Sequence, residues 1–179
     1  MEGIDPRDLV FVDETGTTIA MARRFARAPS GRRAVGKIPR NYGTQTTLVT
    51  ALTLKGLGEA MTIPGAMDTL AFETYVEELL CPSLRPGQVV VIDNLSVHKS
   101  GRTRELIEAV SCRLLFLPPY SPDFSPIELA YSKIKEFLRA TAARTQEALD
   151  EAITEAMDII TASDALGYFK HCGYPACST

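Results

Sequence analysis

Three acids in this chain sit where a divalent cation could be gripped. Asp13 closes the apolar, β-branched run Leu9-Val10-Phe11-Val12, and Asp93 closes Gln88-Val89-Val90-Val91-Ile92. Glu128 falls in the first turn of a helix opening Ser125-Pro126-Ile127-Glu128. The second run has no polar alternation, the pattern of a strand covered on both faces. In open α/β sheets, functional groups gather where strands end and loops begin. If the two strands are neighbours, their terminal aspartates meet at one edge of the core. Three carboxylates there offer hard oxygen ligands suited to Mg²⁺ or Mn²⁺. Two such ions about 3.5–4 Å apart serve phosphodiester cleavage, one activating water or a 3′-hydroxyl and the other steadying the leaving oxygen. Each acid also has a local explanation. Asp13 is explained as a turn residue, Asp93-Asn94 as an Asx-turn, and Glu128 as the far half of a capping box with Ser125.

The elements that must hold these acids follow from periodicity. Thr17–Ala22 is expected to pair back as a hairpin after the first strand, and Thr46–Leu54 forms a further strand ending at Gly56 and Gly58. Asp68 caps a helix whose Phe72, Tyr75, Val76, Leu79 and Leu80 recur on one face, stopped by Pro82. A helix over about 103–110 and a strand over 113–117 follow Asp93. The Pro-rich stretch 118–124 then leads to the Ser125 helix, with Ile127, Tyr131, Ile134, Phe137 and Leu138 as its buried stripe. A last helix over about 146–160 buries Leu149, Ile153, Met157 and Ile160. The order implies an α/β fold, a mixed sheet flanked by helices, in a single domain over 1–179.

The 179 residues are 45% apolar and 23% charged, which suits a packed core and excludes a disordered chain. No apolar run is long enough for a membrane span, the start MEGIDPRDLV is no secretory signal, and four cysteines make no disulfide scaffold, so a reducing, cytoplasmic setting is expected. The formal net charge of −3 hides an uneven distribution. The loop 23–40 carries Arg23, Arg24, Arg27, Arg32, Arg33, Lys37 and Arg40 without one acid, whereas 145–169 within the C-terminal helix and tail (145–179) carries six acids and no base. The loop fits phosphate neutralisation, and a solvated loop is its plain alternative. The acidic C-terminal segment offsets it in the sum without lying near DNA, and the whole chain is expected to bind DNA weakly and with steep salt dependence.

These motifs together, Val12-Asp13-Glu14, Val91-Ile92-Asp93-Asn94-Leu95-Ser96-Val97-His98-Lys99 and Leu117-Pro118-Pro119-Tyr120-Ser121-Pro122-Asp123-Phe124-Ser125-Pro126-Ile127-Glu128, resemble the catalytic core of DDE-type transposases. The likeness is to the mariner superfamily and its bacterial insertion-sequence branch, over about Leu9 to Arg139. The 34 residues between Asp93 and Glu128 match that superfamily's spacing. The chain departs from it in Ser125, where Asn is usual, and in Leu129-Ala130-Tyr131, where Asn-x-Trp is common. The resemblance implies a ribonuclease H-like fold with a mixed five-stranded sheet, its first and fourth strands adjacent and parallel. It also implies Mg²⁺- or Mn²⁺-dependent DNA cleavage at transposon ends with two ions, strand transfer of the 3′-hydroxyl into target DNA, and a homodimer on paired ends. Asp13, Asp93 and Glu128 then correspond to the catalytic, metal-binding acids. A nucleoid-associated bacterial enzyme without its family's N-terminal helix-turn-helix region is expected. A silent DNA-binding module and a general nuclease of the same fold are the alternatives.

Around the triad, Asn94 and His98 are auxiliary candidates, for orienting metal-bound water or the scissile phosphate; a turn residue and a surface-loop histidine are their plain alternatives. Lys99 is a phosphate contact candidate. Ser132, Lys135 and Arg139 follow Glu128 at i+4, i+7 and i+11, a track for a DNA backbone or an ordinary solvated face. Glu14 should point away from Asp13 by strand alternation and is excluded from the triad. His171, Cys172 and Cys177 fit no four-ligand zinc spacing.

Overall fold

Alternation along the first strand sets the two sides of the sheet. In the computed structural model, which describes residues 3–119 and 121–175, β1 (Leu9–Thr17) sends Leu9 and Phe11 to one face and Val10 and Val12 to the other. β4 (Val89–Ile92) does the same with Val89 and Val91 against Val90 and Ile92, all four side chains buried. The two strands pair in parallel from Leu9↔Val89 to Val12↔Ile92. β2 (Thr46–Thr53) runs antiparallel to β1, β3 (Gly56–Pro64) antiparallel to β2, and β5 (Arg113–Phe116) parallel to β4. The order is β3-β2-β1-β4-β5, a mixed five-stranded sheet.

Helices cover both faces. On the Val10/Val12 side lies α1 (Thr69–Tyr75), capped by the Asp68 carboxylate on the Ala71 N–H, with Phe72 and Tyr75 fully buried. It continues through a π-helical stretch (Val76–Leu80) into α2 (Cys81–Ser83). Pro82 cannot donate to the carbonyl four residues back, and widening the preceding turn accommodates it. α3 (Gly101–Ala109) adds Ile107 to this side. On the Leu9/Phe11 side pack α4 (Pro126–Thr141), α5 (Gln146–Asp158) and α6 (Ala162–His171). Phe169 of α6 meets Phe11 edge-on, ring centroids 5.3 Å apart.

Three expectations change. The expected hairpin over 17–22 does not form: β1 runs on through Asp13 and Glu14 to Thr17 and takes β2 as its antiparallel partner. The fifth strand is instead β3, whose Gly56 adopts φ +114° in the tight turn from β2. α6 is an added helix, announced by a capping box between Thr161 and Asp164. No helix among the described residues is long and apolar enough to cross a membrane.

Candidate active site

Register brings the first two acids together. The last parallel pair is Val12↔Ile92, so Asp13, still within β1, and Asp93, just past the end of β4, come next side by side. Asp13 is therefore not a turn residue, because it lies inside β1. Glu128 reaches the same place from α4. Ser125 stands at the N-cap but its side chain caps nothing, so no capping box forms and the exposed Glu128 carboxylate is left to face the cavity. Two ties hold α4 there. The Tyr131 hydroxyl, fully buried, donates to the backbone carbonyl of Asp13. The Tyr174 hydroxyl donates to Phe124 O (2.9 Å), fixing the Pro-rich loop just before the helix. Asp13, Glu14, Asp93, Asn94 and Glu128 all line one cavity of about 580 Å³, walled on its far side by Pro118, Pro119, Ser121 and Pro122.

The two aspartates are held alike and charged differently. Asp13 Oδ1 accepts the Glu14 N–H (2.8 Å), and Asp93 Oδ1 accepts the Leu95 N–H (3.0 Å) and His98 Nδ1 (2.5 Å). The Asx-turn at Asp93 is thus real and coexists with its place in the cavity. Among the described residues neither Oδ2 accepts a hydrogen bond. Burial pushes the Asp13 carboxyl up to about 8, with the negative charges of Glu14, Glu128 and Asp93 adding and the Glu14 N–H subtracting. Burial also opposes ionisation of Asp93, but the His98 and Leu95 donors and the charges of His98 and Lys99 outweigh it and hold its carboxyl below the ordinary value.

His98 is no surface-loop residue. Its side chain has no exposed area, and its ring lies against Phe72 at 4.2 Å between centroids. Nδ1 meets Asp93, and Nε2 faces Glu14 Oε2 at 3.0 Å as an ion pair, neither of those two atoms having a hydrogen-bond partner otherwise. Burial disfavours the charged ring, yet the two carboxylates prevail and raise its pKa to about 9, so it is an imidazolium at neutral pH. Glu14 does leave β1 on the face opposite Asp13, as alternation predicts, and this is how it reaches His98. That partnership and the Tyr131 tie are what sequence reasoning missed; the only advance signal for the first was an acid following Asp13 on the strand's other face.

The donor set suits a hard divalent cation: two carboxylates on neighbouring strands with an open oxygen each, and a third acid across the cavity. Among the described residues no three His, Cys, Asp or Glu side chains form a ready-made coordination sphere. As placed, an ion would take at most two of these carboxylates, the rest of its shell coming from water and substrate, which is the usual arrangement for Mg²⁺. His171 and Cys172 form no such group either, and Cys177, like Tyr120, lies outside the described residues.

The cationic candidates lie outside the lining of this cavity. Arg23, Arg24, Arg27, Arg32, Arg33, Lys37 and Arg40 are all exposed in a stretch, 18–45, without helix or strand. Its start is anchored by the Arg144 guanidinium, which donates to Ile19 O (2.8 Å) and Met21 O (3.0 Å). Arg23 and Arg24 then share a cleft with Ser132 and Arg139 of α4. The loop therefore lies along the same helix face that begins at Glu128. Lys99 is exposed beside Asp93, and Lys135 is half-buried on α4.

Residues 8–150 match the family described as DDE superfamily endonuclease. No curated protein matches at the sequence level. Among solved structures, the Mos1 transposase paired-end complex with left transposon end superposes with a TM-score of 0.72 at 16% identity, over 93% of this chain and 51% of that chain. The Mos1 mariner paired end complex with Mn gives 0.70 at 17% identity, over 93% and 52%. The catalytic domain of Mos1 mariner transposase gives 0.66 at 15%, over 93% and 76%. What is shared at such identities is the fold, the ribonuclease H-like arrangement that the sequence resemblance implied. The chain spans about half the length of the transposase chains in those complexes.

Proposed function

The chain belongs to the DDE superfamily of endonucleases, and on that footing we propose that it cleaves DNA at transposon ends and transfers the freed 3′-hydroxyl into target DNA. The observation that carries this is the convergence of Asp13, Asp93 and Glu128 on one cavity, the first two fixed side by side by the β1–β4 register. Asp13 and Asp93 would hold a divalent cation, Mg²⁺ or Mn²⁺, through their open Oδ2 atoms, and Glu128 would hold a second from α4. When bound, the ions supply an activated oxygen nucleophile at neutral pH and offset charge on the leaving oxygen.

The chain's own groups do the rest. The Tyr131–Asp13 tie keeps α4, and so Glu128, at a fixed distance from β1. Asn94, in the cavity wall, is placed to orient water beside Asp93. The cations of the loop 23–40, with Lys99, Lys135 and Arg139, neutralise the phosphates of a strand leaving the site along α4. The similar Mos1 transposase structures are paired-end complexes, one with the left transposon end and others with Mn or Mg. By that likeness this chain would act on paired ends; that it does so as a homodimer, in the cytoplasm at a bacterial nucleoid, is part of the same proposal.

Cleavage of supercoiled plasmid in Mn²⁺ tests the chemistry. Glu128→Gln is expected to lower nicking by about a thousandfold or more while leaving the thermal midpoint within a few degrees, the scale of losing several kcal/mol of charge stabilisation. Retained nicking overturns the assignment. Joining of a pre-cut end to target DNA separates a transposase from a nuclease of the same fold, which would cut without joining.

A further inference from the structure

His98 has no surface through which to meet a substrate, and both of its ring nitrogens are committed to carboxylates. It can neither carry a proton to DNA nor touch a phosphate. Its contacts do something else. Oδ1 of Asp93 takes two donors at once, the Leu95 N–H and His98 Nδ1, which leaves Oδ2 as the open oxygen. The ring itself cannot swing, because Phe72 lies against one face and Glu14 holds Nε2 from the side opposite Asp93. Neither Glu14 nor Phe72 belongs to the triad.

We propose that His98 is a positioning residue: wedged between Glu14 and Asp93, it fixes which Asp93 oxygen turns to the cavity and so sets the affinity of the cation site. This rests on the metal-binding role given above to Asp13, Asp93 and Glu128. Groups behind a metal ligand commonly orient it and change metal affinity by about 10–100-fold when removed. Here the group behind the ligand is itself held by a second acid from the neighbouring strand, so the clamp spans β1 and the segment after β4.

Calorimetric titration of the chain with Mn²⁺ tests this without any cleavage. The Asn side chain places an amide N–H where His98 Nδ1 stands and keeps the donor to Asp93. The Gln side chain reaches to the place of Nε2 and keeps the contact to Glu14 alone. Both remove the ring from Phe72, so a structural role predicts equal effects of the two. A positioning role predicts that His98→Gln weakens Mn²⁺ binding by about tenfold or more while His98→Asn stays within about threefold of the wild type. Equal weakening, or none, overturns it. Should either variant fail to fold by near-ultraviolet circular dichroism, Glu14→Ala examines the clamp from its far end. Severalfold weaker Mn²⁺ binding is then expected, and unchanged binding overturns the proposal. A wild-type chain that takes up no Mn²⁺ removes the metal role itself, and this inference with it. Binding that is lost in Asp93→Asn yet unaltered in both His98 variants removes this inference alone.

Discussion

Asp13 and Asp93 occupy equivalent positions, each one residue beyond the last parallel pair of neighbouring strands, and their carboxyls are pushed in opposite directions. The difference lies in what each wall of the cavity supplies. Behind Asp93 the protein places a buried imidazolium and, farther out, Lys99. Around Asp13 the nearby charged groups are acids, and the Tyr131 hydroxyl is spent on its backbone carbonyl rather than its side chain. Equivalent placement by the sheet therefore does not mean equivalent electrostatics. The residues contributed by loops and by the opposite face decide the charge.

That contrast breaks most sharply under neutral substitution. Asp93→Asn strips His98 of one of its two counter-charges and should cost about 2 kcal/mol in urea unfolding at pH 7, the penalty for opening a buried pair reduced for the partial exposure of Asp93. Asp13→Asn replaces a carboxyl that burial and its acidic neighbours keep mostly protonated at pH 7, and should change stability by less than about 1 kcal/mol. Equal costs for the two would abolish the distinction. A smaller effect, about 1 kcal/mol, is expected for Tyr131→Phe, which leaves the Asp13 carbonyl short of one donor without touching the Asp93 wall; urea unfolding measures it, and a double variant with Asp93→Asn should be additive. The smallest concerns an ordinary surface pair as a reference. Asp164 is held down to about 2 by the Thr161 hydroxyl, Lys133 and the Thr161 N–H. Its folded pKa lies below its ordinary 3.8, so its contribution is complete above that value and fades as the pH falls through about 2. Asp164→Asn should flatten the stability curve between those limits and, above them, lower stability by an amount that no longer varies with pH, which urea unfolding at several pH values measures.

The placement of the two aspartates was legible because it rests on uninterrupted apolar runs, which register alone turns into neighbours. The loop 23–40 was legible too, by its Gly, Pro and Arg content. β3 was not, because Gly56 and Gly58 read as punctuation and its outer face is open at the sheet edge, so its pattern never alternates cleanly. The expected strand at 17–22 lost to Thr46–Thr53, whose seven register pairs with β1 no local pattern announces. α6 carries a recognisable Thr161-x-x-Asp164 start, but its run is shorter than that of α5. The capping box expected at Ser125 and Glu128 is absent although both residues stand at the right spacing, since the Ser125 side chain makes no capping hydrogen bond. His98 and Glu14 lie 84 residues apart in the chain, and no spacing rule links them.

The parallel joint between β1 and β4 also sets when the three acids can meet during synthesis. Its two aspartates lie 80 positions apart in the chain, and at about 5–20 residues per second a ribosome needs roughly 4–16 s to deliver the second after the first. Glu128 follows later still, on the helix that must dock on β1 through Tyr131. A prematurely released polypeptide ending before Pro126 thus carries both aspartates and no third acid. Translation itself delays the meeting of the three acids until residue 128 has been made.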